Sequence, residues 1–125
     1  MDNLINQAIN SIPLQPGEHL ISLMLTETGQ PDYWLIEVPM PDEAMTWHQF
    51  NDWATLLGYR PASEREGRLM AANPYAGLPT SGAFWLAEHD SYSDYAYIQN
   101  FSHGNQRYYY KNNKYRARAV RRLKI

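Results

Sequence analysis

The sequence predicts an α+β fold in which two helices pack on a mostly antiparallel twisted sheet. Apolar runs bounded by turn residues lie before residue 40, and apolar and polar residues alternate after residue 82; both patterns are typical of strands. Between these regions, two segments carry helix-start signals followed by apolar residues at helical spacing. Strands, then helices, then strands, in that order along one chain, indicate the α+β class.

Length and composition indicate one domain over residues 1–125, built around aromatic side chains. The chain has 125 residues, 44% of them hydrophobic, and a net charge of −2, which fits a globular protein. Its ten Tyr, four Trp and three Phe bring a large buried area per residue. The absence of cysteine excludes a disulfide scaffold and a thiolate metal site.

The N-terminal segment does not have the pattern of an export signal. It lacks a basic stretch followed by a continuous apolar run, and no apolar run in the chain is long enough to cross a bilayer. We therefore expect a cytoplasmic protein without membrane insertion, or one that leaves the cell only as part of a particle. Apolar residues at helical spacing in "LINQAINSI", ahead of Pro13 and Pro16, predict a helical or irregular extension over residues 1–16.

A β-hairpin is predicted after this extension. Leu20–Leu25 and Tyr33–Val38 are its two apolar runs, and Gly29, Pro31 and Asp32 between them are turn residues.

Two helices follow, and each has a capping box at its start. Thr46 and Gln49 open the first helix, and Ser63 and Glu66 open the second. In this motif a hydroxyl and a side-chain oxygen three residues later satisfy the free N–H groups at the start of a helix. Gly58 suits the position that follows the end of the first helix.

Four strand-like segments make up the rest of the chain, and we expect them to form an antiparallel sheet. They are "AFWLAEH", "YAYIQNF", "NQRYYYK" and "YRARAVRRL", separated by turn-forming residues. Alternation along a strand cannot expose Tyr108, Tyr109 and Tyr110 on one face, so part of this run must face the core. Across the chain, the large residues predicted to be mostly buried are Trp47, Phe50, Trp53, Leu57, Trp85, Ile98 and Val120.

Charge is distributed unevenly along the chain. All 13 acidic residues and only three basic ones lie in residues 1–94, whereas residues 95–125 carry eight basic residues and no acidic one. Such a split is found in proteins that bind an anionic partner. It also arises when an acidic part of a chain folds against a basic part and neutralises it. The sequence leaves both interpretations open.

Two stretches resemble the Lcl C-terminal-domain-like family. "TWHQFNDWATLLGYRPASEREGRLM" is similar to its helix–loop–helix, in which a helix that begins with Trp ends in Gly and a second helix begins near Arg-Glu. "FWLAEHDSYSDYAYIQNFSHGNQRYYYKNNKYRARAVRRL" is similar to its second half, which closes on an Arg-Ala-Val-Arg strand. The resemblance runs from about Glu43 to Leu123. It implies a C-type-lectin-like fold, shared with bacterial adhesin domains and with variable receptor-binding proteins of phages.

The same resemblance implies a function. The chain looks most like the phage and prophage members, which implies a non-catalytic binding module, cytoplasmic in a bacterial host or associated with the virion. Its partner would be a host receptor, a virion protein or a host defence protein, recognised through protein or surface glycan. In the phage proteins the ligand face is built from the C-terminal strands and loops. The matching positions here are His89, Tyr92, Tyr95, Tyr97, Gln99, His103, Gln106, Tyr108 and Tyr110.

A nucleic-acid-associated protein is the alternative. A basic patch of Arg107, Lys111 and Lys114 would neutralise phosphates while tyrosine rings stack on unpaired bases. A phosphate-binding surface is typical of strongly basic domains, and the net charge of −2 is not of that kind.

No catalytic, cofactor or metal site is expected. "QPD" at residues 30–32 spells a tripeptide of calcium-binding lectins, but it lies in the early hairpin, where Pro-Asp is ordinary turn chemistry. The four His residues lack metal-ligand spacing, and neither a nucleophile elbow nor a phosphate loop is present. The family is related in fold to formylglycine-generating enzymes, whose cysteines this chain lacks.

Overall fold

The structure, a computed structural model, describes Gln7, residues 10–73 and residues 81–125. From residue 19 onward it confirms the α+β class, with two helices and two four-stranded sheets among the described residues. Of the extension predicted over residues 1–16, residues 1–6, 8 and 9 lie outside the described residues. The elements in chain order are β1 (His19–Leu25), β2 (Pro31–Glu37), α1 (Trp47–Leu56), β3 (Arg60–Pro61), α2 (Glu64–Ala72), β4 (Ala83–Glu88), β5 (Tyr95–Asn100), β6 (Gln106–Tyr110), β7 (Arg116–Ala117) and β8 (Ala119–Lys124).

The strands form two sheets, so the prediction of a single sheet for the two helices is wrong. The first sheet has the order β1-β2-β8-β3, and all of its pairs are antiparallel. The second has the order β6-β5-β4-β7 and is antiparallel except for the parallel pair of β4 and β7. The sequence predicts one last strand, but the chain leaves the second sheet at Arg118 and continues in the first.

The division at Arg118 gives the N-terminal hairpin a third strand. β8 pairs with β2 over five residues, and Leu35 and Ile36 of β2 are fully buried. An isolated two-stranded hairpin is at best marginally stable in water. The pairing with β8 therefore ties the hairpin to the rest of the domain.

Both predicted capping boxes form, and they fix where the helices begin. Thr46 Oγ1 accepts the N–H of Gln49 at 3.3 Å, and Gln49 Oε1 accepts the N–H of Thr46 at 2.9 Å. Ser63 and Glu66 make the same two bonds at 3.2 and 2.8 Å. Gly58 follows α1 with a φ of +79°, a left-handed conformation that glycine adopts without a steric penalty.

The core has two parts, one on each face of the second sheet. On one face, Trp85 of β4 belongs to a buried cluster with Trp47 and Phe50 of α1. On the other face, Leu86 belongs to a cluster with Met70 of α2. Successive residues of a strand point to opposite faces, so the Trp-Leu pair at the centre of β4 supplies both parts of the core.

The burial prediction is wrong for Leu57, which is 51% exposed. Leu57 caps the end of α1, where the chain turns through Gly58, so the helical spacing that predicted its burial no longer applies. Trp53 is half-buried, with its ring 6.2 Å from that of Tyr59. The predicted core residues that are buried are Trp47, Phe50, Trp85, Ile98 and Val120.

The basic C-terminal segment folds against the acidic part of the chain. Arg122 donates two hydrogen bonds to Glu66, at 2.6 and 2.7 Å, and Tyr33 donates a third at 2.7 Å. Burial alone raises the pKa of Glu66, but the hydrogen bonds from Arg122, Ser63 and Tyr33 and the charge of Arg122 together outweigh it and hold that pKa below its usual value. These contacts favour neutralisation within the fold over an anionic partner. Among the described residues, the other ion pairs of this segment are Lys111–Glu88, Arg116–Asp42, Arg118–Glu37, Arg121–Glu18 and Lys124–Asp32.

Candidate functional site: the tyrosine face

One face of the second sheet is only partly covered. α2 lies over part of it, so closely that a Cβ added to Gly67 would come within 2.7 Å of Leu86 Cδ1 and 3.4 Å of Gln99 Oε1. Beyond this contact the strands β5 and β6 pair Tyr97 with Tyr108 and Tyr95 with Tyr110. Cross-strand partners share a face of the sheet, so these four tyrosines form one surface.

The loop between β4 and β5 adds two more rings to this surface. His89 has its ring centroid 4.8 Å from that of Tyr92, 4.7 Å from that of Tyr97 and 4.7 Å from that of Tyr108. His89 therefore lies at the centre of an aromatic cluster. We call this cluster the tyrosine face, and its members are His89, Tyr92, Tyr95, Tyr97, Tyr108 and Tyr110.

The rings of the tyrosine face hold one another in place. Tyr95 and Tyr110 are stacked, with centroids 4.4 Å apart and planes at 28°. Tyr108 meets Tyr95 edge to face, with centroids 5.4 Å apart and planes at 89°. Offset-stacked and edge-to-face pairs at such distances are the favourable aromatic geometries. The surface is thus ordered before any partner arrives.

His89 also shapes the loop that carries Tyr92. Its Nδ1 accepts the backbone N–H groups of Ser91 at 3.0 Å and Tyr92 at 3.1 Å, so the proton of the neutral ring is on Nε2. Asp90 Oδ1 lies 3.4 Å from the same Nδ1, but the two amide hydrogen bonds already occupy that nitrogen. Asp90 instead accepts the hydroxyl of Tyr97 at 3.0 Å, and these bonds fold the loop back onto the sheet.

Three rings of the face are open to solvent: Tyr92 is 56% exposed, Tyr108 47% and Tyr110 55%. The other two tyrosines keep their hydroxyls protonated at neutral pH. Desolvation and the hydrogen bond to Asp90 raise the pKa of Tyr97 to about 12, and a hydrogen bond with Tyr110 raises the pKa of Tyr95 to about 12. The face therefore offers aromatic surface together with neutral hydroxyl groups that donate and accept hydrogen bonds.

A cleft of about 290 Å³ adjoins the face at Tyr110. Lys111 lies at this cleft with its side chain 8% exposed, paired with Glu88 and 4.5 Å from the centroid of the Trp47 ring. Its charge is thus already compensated inside the protein. The remaining lining residues are His48, Ser93, Asp94 and Asn112.

The structure removes Gln99 from the predicted binding positions. Gln99 is fully buried, and its Oε1 accepts Gln106 Nε2 at 2.8 Å. Gln106 also donates to the backbone oxygen of Glu64 at 2.6 Å, so both side chains attach α2 to the sheet.

His103 is exposed in the turn between β5 and β6, and it makes no ring contact with the tyrosine face among the described residues. Tyr109 packs against the core, as alternation along β6 requires.

The predicted basic patch is not a continuous surface. Lys111 is buried against Glu88. Arg107 is exposed on β6, and Lys114 borders a separate cleft with Glu43. Arg107 and Lys114 are the two basic residues of the segment that form no ion pair within the described part of the chain.

Sequence reasoning did not include Asp90 and Asp94 in the site. Asp90 binds the hydroxyl of Tyr97, and Asp94 lines the cleft beside Tyr110. The available signal was their position in the turn "DSYSD", immediately before the tyrosine-rich strand.

The described residues give no sign of a metal centre or of a membrane span. Nowhere among them do three or more His, Asp or Glu side chains gather in a way that would hold a metal ion. No helix there combines the length and apolar character needed to cross a membrane. Comparisons of the chain with protein-family models, with curated proteins and with solved structures found no match in any of the three.

Proposed function

We propose that this chain is a non-catalytic binding module of C-type-lectin-like fold, of the phage or prophage type, that recognises a macromolecular partner through the tyrosine face. The observation that carries the proposal is the set of exposed tyrosine rings held in fixed positions by one another and by His89. The expected partners are a host receptor, a virion protein or a host defence protein.

The architecture supports the C-type-lectin-like assignment that the resemblance implies. Two capped helices pack on mostly antiparallel sheets, and β8 near the end of the chain pairs with β2 near its start. The helix–loop–helix and the aromatic strands of the resemblance correspond to α1, α2 and β4 to β6. The exposed aromatic surface is carried by the second half of the chain, where the phage proteins bear their ligand face.

Tyrosine on a rigid scaffold is well suited to binding another macromolecule. Its ring provides a large contact area with only two side-chain torsions to fix, and its hydroxyl pairs with polar groups of a partner. In the tyrosine face most of that ordering has occurred before binding, because Tyr95 stacks on Tyr110 and Tyr108 lies against His89. Less entropy is then lost on association.

The nucleic-acid alternative has weaker support. A phosphate-binding groove needs several basic side chains along one surface. Lys111 is paired internally, and Arg107 and Lys114 are on different parts of the surface. The carboxylates Asp90 and Asp94 beside the tyrosine face would repel a phosphate backbone.

The proposal is tested by capture of a partner from extracts of the cells that naturally express the chain. The wild-type protein is compared with Tyr92→Ser/Tyr110→Ser and with the matched control Leu56→Ser/Ile125→Ser, which removes exposed apolar side chains elsewhere (84% and 64% exposed). Tyrosine anchors at interfaces contribute about 2 kcal/mol or more, so the first variant should lose about tenfold or more in affinity.

The control variant should capture the same partner as wild type. Equal capture by all three proteins, with unchanged melting temperatures, would show that the tyrosine face is not the binding surface. Loss of capture only in the control would move the surface to the region of Leu56 or Ile125.

A further inference from the structure

The charges around the tyrosine face are unbalanced toward the negative. Asp90 has a side chain that is 80% exposed, and Asp94 is exposed beside Tyr110. Within the described residues, no Lys or Arg forms an ion pair with either of them. Asp90 accepts the hydroxyl of Tyr97 and lies 3.4 Å from His89 Nδ1, and the charge of Asp94 acts on the hydroxyl of Tyr95.

Two basic groups on elements that border this surface are already paired. Arg68 lies 3.7 Å from Glu64 on α2, and Lys111 pairs with Glu88 at the cleft. Each of these two bases therefore compensates one carboxylate, and neither compensates Asp90 or Asp94. Arg107, which forms no ion pair within the described residues, lines a different cleft with Tyr108. Two exposed carboxylates against this one base leave the surface negative.

Aromatic rings add to the negative electrostatic potential of this surface. The face of a tyrosine ring carries partial negative charge and attracts a cation placed over it. Tyr110 and Asp94 both line the cleft of about 290 Å³ beside the face, so a cation that enters it meets a π surface and a carboxylate together. His48 and Asn112 in the same lining supply further hydrogen-bonding groups.

We infer that the tyrosine face and its adjoining cleft select a segment of a protein partner that carries arginine or lysine. The inference rests on the proposed function and adds the chemistry of the partner. The charged head of one basic side chain enters the cleft between Tyr110 and Asp94, and a second lies over Tyr92 and Tyr108 near Asp90. Charge complementarity of this kind raises the rate of encounter and selects among partners.

Two peptides distinguish selection of basic side chains from non-specific adsorption to the tyrosine face. Acetyl-Gly-Arg-Gly-Arg-Gly-amide and the matching glutamate peptide are titrated into the full chain at low salt, about 0.05 M, where screening is weak. The readout is the ring resonances of Tyr92, Tyr108 and Tyr110 in protein carrying carbon-13-labelled tyrosine. The arginine peptide should shift these resonances in a saturable way, and the glutamate peptide should not.

The aspartates are then tested with matched variants. Asp90→Asn/Asp94→Asn should weaken arginine-peptide binding about fivefold, since each exposed charge contributes modestly. Glu27→Gln/Asp52→Asn removes the same charge from exposed positions in the β1–β2 turn and on α1. This control should bind the arginine peptide as wild type does.

The outcomes separate this inference from the proposed function. Equal binding of both peptides, or equal weakening in both double variants, would overturn the cationic selection and leave the tyrosine face as a binding surface. Shifts caused by oligothymidylate in place of the arginine peptide would overturn it in favour of nucleic acid. Loss of partner capture in the Tyr92→Ser/Tyr110→Ser variant, without any response to the arginine peptide, would likewise contradict only the cationic selection.

Discussion

Replacing Glu37 with Gln is expected to stabilise the protein above neutral pH. The Glu37 side chain is 4% exposed, and its Oε2 has no hydrogen-bond partner within the described residues. Arg118 Nε and His19 Nδ1 each remain 3.9 Å from its carboxylate oxygens. Burial therefore raises the pKa of Glu37 to about 7, although the charge of Arg118 acts in the opposite direction.

The expected size of the effect follows from this pKa. In the unfolded chain the ordinary value is 4.5, so the folded protein holds the proton more tightly than the unfolded one. The stability that protonated Glu37 contributes is fully present below pH 4.5 and is lost as the pH rises through about 7. One pKa unit corresponds to about 1.4 kcal/mol, so the loss amounts to about 3 kcal/mol.

Urea unfolding followed by tryptophan fluorescence, repeated between about pH 4.5 and pH 8, measures this loss. The free energy of unfolding of the wild type should fall across the range, and that of Glu37→Gln should fall much less. Glu27→Gln, at an exposed turn position, should keep the wild-type slope. Glu18 and Glu66 do not interfere, because their pKa values are lowered and their contribution is lost only at more acidic pH. If Glu37→Gln retained the wild-type slope, the reasoning about its burial would be refuted.

Three further outcomes test the fold and the assignment of charges. Trp85→Ala should lower the free energy of unfolding by about 3–5 kcal/mol, whereas the exposed Leu57→Ala should change it by about 0.5 kcal/mol or less; similar melting temperatures for the two would contradict the placement of the second sheet. Glu66→Gln should lower the free energy of unfolding by about 3 kcal/mol because it breaks a buried ion pair. Combining it with Arg122→Met should lower that free energy by less than the sum of the two single changes. Strict additivity in a double-mutant cycle measured by urea unfolding would argue against coupling of the two side chains. Labelled oligonucleotides should bind weakly at about 0.15 M salt by fluorescence anisotropy, and tight binding abolished by Arg107→Glu would support the nucleic-acid alternative.

Local features of the fold are the ones that sequence reasoning predicts well. The capping boxes at Thr46 and Ser63 involve residues three positions apart, so the sequence contains all of their partners. Alternation along β6 requires Tyr109 to face away from Tyr108 and Tyr110, and the structure has it packed on the core.

Features that depend on distant parts of the chain are not visible in the sequence. The last strand is interrupted at Arg118 because its second part, β8, pairs with the free edge of β2. β2 and β8 are far apart in the chain, so the sequence around Arg118 does not reveal this pairing. Gln99 has the same alternation as Tyr97, and only the position of α2 decides that Gln99 is buried. Lys111 belongs to a basic run in the sequence, yet Glu88 from another strand neutralises it.

The central claim is that the tyrosine face is the surface that meets a macromolecular partner. Photo-crosslinking measures this directly, with benzoylphenylalanine in place of Tyr110 and, as a control, in place of Leu56, in the cells that naturally express the chain. Position 110 is 55% exposed on the tyrosine face, and position 56 is 84% exposed on α1. The account predicts one discrete crosslinked product from position 110 and none from position 56. A product from position 56 alone, or identical products from both positions, would contradict it.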